Sequence, residues 1–84
     1  MPVNAEPTPN PNAMKFTVGV PVGGPATHVA GTSTDDPVAA AILALPGVTS
    51  VFMTADFVTV SKSGEAVWED LGPECLAILG EHYG

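Results

Sequence analysis

The chain has 84 residues, and nine acidic groups against two lysines and no arginine give a formal net charge of −7 with a pI near 4.2. A chain of that size holds one small domain, and its charge repels phosphate backbones and anionic membranes and leaves no basic cluster for binding nucleic acid. Its one cysteine, Cys75, excludes an internal disulfide and cannot by itself supply the ligands of a metal cluster.

Residues 1–12 contain four prolines and little that is apolar. They are expected to form no ladder or helix and to lie as an extended arm across a single domain spanning residues 13–84. The arm ends in Pro9-Asn10-Pro11-Asn12, whose asparagines either pin it through bonds to backbone or form a recognition strip. Met14, Phe16, Val18 and Val20 then alternate with Lys15, Thr17 and Gly19, the period of a half-buried strand. A turn over residues 21–25 leads to a weaker second strand over 26–30 and a loop over 31–34. Asp36 and Pro37 suit an N-cap and first helical position, and Val38, Ala41, Ile42 and Leu45 make one stripe of about three turns before Pro46-Gly47. Val48–Met53 and Phe57–Ser61 read as a hairpin joined by Thr54-Ala55-Asp56. Trp68, Leu71, Cys75, Ile78 and Leu79 follow helical spacing to the C-terminus, with Gly72-Pro73 expected to kink or restart the helix. The order predicts an α+β two-layer sandwich, ββαββα, in which hairpin-paired strands make a four-stranded antiparallel sheet and both helices cover one face.

The hairpin admits two registers. If Met53 faces Val58 and Val51 faces Val60, one side is wholly aliphatic, while Phe52 and Phe57 share the other with Ser50, Thr59 and Ser61. If Met53 faces Phe57 instead, Phe52, Val58 and Val60 are inside together, because a one-residue slip exchanges the faces. The first gives the helices a continuous aliphatic floor and is preferred. It leaves two phenylalanines on the far face, either covered by the arm or forming a protein-contact surface.

The segments Thr8-Pro9-Asn10-Pro11-Asn12-Ala13-Met14-Lys15-Phe16, Asp36-Pro37-Val38-Ala39, Gly47–Met53 and Asp56–Lys62, with Trp68, Leu71 and Pro73, resemble the N-terminal domain of Nfu/NifU-type iron–sulfur scaffold proteins from Thr8 onward. Val38 and Leu43 stand where that family often has leucine and phenylalanine, and the tip at Thr54-Ala55 lacks its frequent glycine. In the family this domain usually precedes a second one whose paired cysteines hold the cluster. No such pair occurs in these 84 residues, so the resemblance implies a stand-alone copy of the accessory domain, which contacts partners in cluster assembly or delivery.

Among candidate sites, Cys75 is either a lone ligand or redox thiol or, in phase with Leu71, Ile78 and Leu79, a buried small hydrophobe. His28 and His82 have no metal-ligand spacing, and no nucleophile has a base beside it. Asp35, Asp36 and Asp56 could offer oxygen ligands to iron but suit cap and turn positions. The reading is therefore a non-enzymatic protein-interaction domain with no catalytic residue, metal site or cofactor of its own, contacting protein partners through Asn10, Asn12, Phe52, Asp56 or Phe57. Direct iron binding through carboxylates and a peptide-binding adaptor unrelated to iron are the rivals. With no apolar run of about 20 residues and no basic, then apolar, N-terminal stretch, the expected location is the cytoplasm, without membrane contact.

Overall fold

Two valine-rich strands joined by a two-residue connection dominate the sheet, and the rest of the chain is arranged around them. The computed structural model describes residues 3–22, 25–31, 34 and 36–83. Met1 and Pro2 of the expected arm, Gly23 and Gly24 of the expected turn, Thr32 and Ser33 of the next loop, Asp35 and Gly84 lie outside the described residues. The strands are β1 (Asn4–Pro7), β2 (Ala13–Thr17), β3 (Ala26–Val29), β4 (Val48–Thr54) and β5 (Phe57–Lys62), and the helices are α1 (Pro37–Leu43) and α2 (Trp68–Tyr83). All strand pairs are antiparallel, in the order β1-β2-β5-β4-β3.

The sheet has five strands rather than the expected four, because part of the arm does form a ladder. Asn4–Pro7 pairs with Met14–Thr17 along the sheet edge. An edge strand sends every second N–H away from its neighbour, so it tolerates Pro7 where an inner strand would not. The second correction concerns pairing. β2 and β3 do not make a hairpin; β2 pairs with β5, β3 with β4, and the β4–β5 hairpin lies between them. β2 ends beside the tip of that hairpin, and the chain after it crosses the tip. Val18 N–H and Gly19 N–H donate to the Asp56 carbonyl (2.8 and 3.3 Å), and Val22 N–H donates to Ala55 (2.9 Å). Residues 18–22 thus begin a crossover after which Ala26 stands opposite Met53.

α1 begins as expected: Asp36 Oδ1 accepts from the N–H groups of Val38 (2.9 Å) and Ala39 (3.1 Å), with Pro37 in the first turn. It ends at Leu43, short of the expected three turns. The physical reason is Pro46, whose ring disfavours helical backbone at the preceding Leu45. α2 is continuous through Gly72-Pro73, so the helix does not restart there. Proline removes the bond that residue 73 would give to the Glu69 carbonyl, but Glu69 is exposed in the first turn, within reach of water.

Val48, Val51, Met53, Val58 and Val60 of the hairpin join Phe16 and Val18 in one buried core with Val38, Ala39 and Ile42 of α1 and Leu71, Cys75 and Leu79 of α2. Both helices therefore cover the same sheet face, and the opposite face is left to solvent among the described residues.

Candidate protein-contact surface

Register decides what that outer face carries. Val51 stands opposite Val60 and Met53 opposite Val58, which is the preferred of the two registers. By alternation, Phe52 then points outward between Thr59 of β5 and Thr27 of β3, and Phe57 lies between Thr54 of β4 and Thr17 of β2. Val29, opposite Ser50, extends the apolar surface to the β3 edge. Phe52 is 37% exposed and Val29 49%. Phe57 is half-buried, with Lys15 Nζ 4.6 Å from its ring centre, a cation–π contact. The described part of the arm does not cover Phe52: β1 lies three strand spacings from β4, about 14 Å away.

The other candidates lie elsewhere. Asp56 sits at the hairpin tip, where its carbonyl takes the two bonds from Val18 and Gly19. Ala55 beside it holds φ +51°, the backbone region where glycine is least strained. Asn10 and Asn12 are at the opposite end of the sheet, in the β1–β2 connection. There Asn12 N–H donates to Asn10 Oδ1 (2.9 Å), and Lys62 Nζ donates to Asn12 Oδ1 (3.1 Å). Lys62 N–H donates to the Asn12 carbonyl (2.7 Å), and Trp68 Nε1–H donates to the Pro11 carbonyl (3.0 Å). Both asparagines thus have bonds that shape this connection, and Lys62 and Trp68 fasten it to β5 and α2. The five singled-out residues thus fall in three places: Phe52 and Phe57 share the outer sheet face, Asn10 and Asn12 share the β1–β2 connection, and Asp56 sits at the hairpin tip. Lys15 and Val29 join the two phenylalanines and were not singled out, because strand order decides which residues flank Phe52 and Phe57.

Among the described residues no group of three or more His, Cys, Asp or Glu is placed to hold a metal ion. Asp36 caps α1, and His28 and His82 lie on β3 and in the last turn of α2. Cys75 is fully buried, and burial, with a smaller push from the Glu74 carboxylate, raises its thiol pKa to about 11. It should therefore resist iodoacetamide in the folded protein at pH 8 and react at once in denaturant. In the unfolded chain the thiol ionises near its ordinary 9.0, so between about pH 9 and 11 the unfolded state binds fewer protons and stability falls as pH rises. Burial and the Asp36 charge raise Tyr83 as well, adding to the same alkaline loss. Denaturant titrations of Cys75→Ala should show a shallower decline above pH 9 than the parent protein, an unchanged decline refuting this role for the thiol.

Comparison with known proteins places these features in context. The sequence matches the family described as scaffold protein Nfu/NifU N terminal over residues 3–84. It is 36% identical to NifU-like protein 5, mitochondrial, of Arabidopsis thaliana, covering 96% of this chain and 30% of that protein. It is 37% identical to the NFU1 iron-sulfur cluster scaffold homolog, mitochondrial, of Drosophila ananassae, with the same two coverages, 96% and 30%. The chain thus spans about a third of the length of these relatives. The crystal structure of protein SAV1430 from Staphylococcus aureus superposes with a TM-score of 0.78 at 31% identity, covering 93% of this chain and 98% of that one. The NMR structure of a NifU-like protein from Saccharomyces cerevisiae gives 0.79 at 26% identity, covering 98% of this chain and 79% of that one. No helix among the described residues is long and apolar enough to cross a membrane. With the family match running almost end to end and the α+β architecture shared with these structures, the chain belongs to the Nfu/NifU N-terminal scaffold family.

Proposed function

We propose that this domain is a non-catalytic contact module in iron–sulfur cluster assembly or delivery, and that its partner protein seats on the outer face of the sheet. The observation that carries the reading is Phe52, 37% exposed on the outer face of β4, one strand in from the β3 edge, with Phe57 and Val29 diagonal to it on the same face. Aromatic side chains held on a rigid sheet are effective anchors for a partner, because little conformational freedom is lost on binding. The relatives named iron-sulfur cluster scaffold homologs supply the process, and the cluster is cargo whose ligands come from another molecule or another domain. The charge of −7 favours a basic or apolar partner surface. A reducing compartment suits the free Cys75, and the relatives named mitochondrial extend the choice beyond the cytoplasm.

The test is affinity capture of iron–sulfur assembly proteins from the native cell with the parent protein and with Phe52→Ser. The variant should lose the captured assembly protein while its unfolding free energy falls by about 1 kcal/mol or less, the scale of a partly exposed strand position. An identical captured set would remove the sheet face from consideration. Absence of any assembly protein from the parent capture would remove the process.

A further inference from the structure

Where α1 gives way to β4, the turn Leu45-Pro46-Gly47, the segment from Ser63 to Val67 and the first turns of α2 line an open cleft of about 540 Å³. Its lining includes Leu45, Ala66 and buried Leu71, with Val67 half exposed. Three exposed carboxylates line it too: Glu65, Asp70 and Glu74. Asp70 and Glu74 are one helical turn apart on α2, to one side of Leu71, a spacing at which two negative charges repel. Neither lysine neutralises them. Lys15 lies over Phe57 on the outer face, and Lys62 is taken up by Asn12 Oδ1, the Ser63 carbonyl and the Trp68 ring.

The geometry points to a docking groove for a basic amphipathic segment of a partner protein, separate from the outer sheet face. An apolar side chain of that segment enters between Leu45 and the Val67–Leu71 side of α2. Lysines or arginines on either side of it answer Glu65, Asp70 and Glu74. Charge complementarity selects this occupant: an acidic segment or a nucleic acid would add to the repulsion already present, whereas a cation beside Asp70 and Glu74 relieves it. An apolar floor with a charged margin also divides the work, the floor giving affinity and the margin orientation and partner choice.

The test is an amide-resolved NMR titration of the isotope-labelled protein with a short synthetic peptide carrying leucines and lysines at helical spacing. A second peptide with glutamate in place of each lysine is the control. Shift changes should cluster at Gly47, Ala66, Val67 and Asp70, weaken with added salt, and be absent with the glutamate peptide. The variant Glu65→Gln/Asp70→Asn/Glu74→Gln, which removes mutual repulsion and so keeps its fold, should bind the lysine peptide about tenfold more weakly. Phe52→Ser should bind it unchanged, which keeps this outcome distinct from that for the sheet face. Shifts confined to the outer face, equal binding of both peptides, no shift at all, or undiminished binding by the triple variant would each overturn the proposal.

Discussion

Gly47→Ala is expected to cost the domain about 3 kcal/mol of stability and to lower its thermal midpoint by about 15 °C, from two independent causes. The first is backbone conformation. Gly47 holds φ +93°, which lets the chain leave the turn after α1 and enter β4, and an L side chain there costs about 1–2 kcal/mol. The second is space. A Cβ at residue 47 would stand 2.5 Å from Ala66 Cβ, closer than carbon atoms approach, and the Ala66 backbone is close behind at 3.8 Å. Relief by movement is limited, because the Gly47 carbonyl accepts a 2.7 Å bond from Ser63 N–H, and Ser63 in turn accepts from Ala66. Ala66→Gly separates the two causes. Alone it should cost well under 1 kcal/mol; combined with Gly47→Ala it should recover about 1–2 kcal/mol by removing the clash while leaving the conformational strain. Circular dichroism melts of the four proteins close the cycle. A Gly47→Ala midpoint within a few degrees of the parent would show that the turn is not held as described.

Position 47 also marks how far the sequence could be read. Pro46-Gly47 announces the end of a helix, and the alternation of Val51, Met53, Val58 and Val60 announces a hairpin with an aliphatic face, because each signal depends on neighbours in the chain. The start of α1 at Asp36-Pro37 is legible for the same reason, since the cap bonds span two and three residues. What escaped was set by contacts distant in sequence. Asn-Ala-Glu-Pro has no strand propensity, and it becomes β1 because the edge of β2 offers a backbone ladder. The pairing of β2 with β5 rather than β3 is likewise invisible locally. It is made by the ladder from the Ala13–Ser61 pair to the Thr17–Phe57 pair and continued by the bonds that Val18, Gly19 and Val22 give to the hairpin tip, all between residues far apart in sequence.

The candidate surface divides along the same line. Phe52 is legible as outward-facing once the hairpin register is chosen, since parity alone places it. Its company is not: Lys15 meets Phe57 only because β2 lies beside β5. The Asn10–Asn12 motif stands out by composition, yet its bonds to Lys62 and its neighbour's bond to Trp68 cross 50 and 57 residues. The cleft beside Gly47 is built by two separated segments, 45–47 and 63–74, and although Glu65, Asp70 and Glu74 are near one another in sequence, only the packing of the Leu45-Pro46-Gly47 turn against them makes a cleft of that acidic stretch.

Phe16→Ala should be the most damaging change in the molecule, about 3–5 kcal/mol, and it tests the assignment of the two faces together with Phe52→Ser. Phe16 has no exposed surface and stands between Val58 of β5 and Ala5 of β1. Its ring meets Trp68 edge to face, with centres 6.4 Å apart at 62°. The residue therefore ties the central hairpin, the edge strand and the start of α2 into one core, and the aromatic pair adds about 1 kcal/mol to the burial lost. At about 0.05–0.15 kcal/mol per residue, a domain of this size has only some 4–13 kcal/mol in all, so the variant should be largely destabilised and its urea midpoint sharply lowered. Trp68, the chain's one tryptophan, reports the transition by fluorescence from within the affected contact. Phe16→Leu keeps most of the volume and should lose only about 1–2 kcal/mol. Phe52→Ser, in contrast, should leave the midpoint nearly in place and abolish partner capture. The comparison is decisive because alternation leaves no middle course: a strand slipped by one residue would exchange buried for exposed along its whole length. A stable Phe16→Ala variant beside an unfolded Phe52→Ser variant would mean that the sheet presents its other face to the helices.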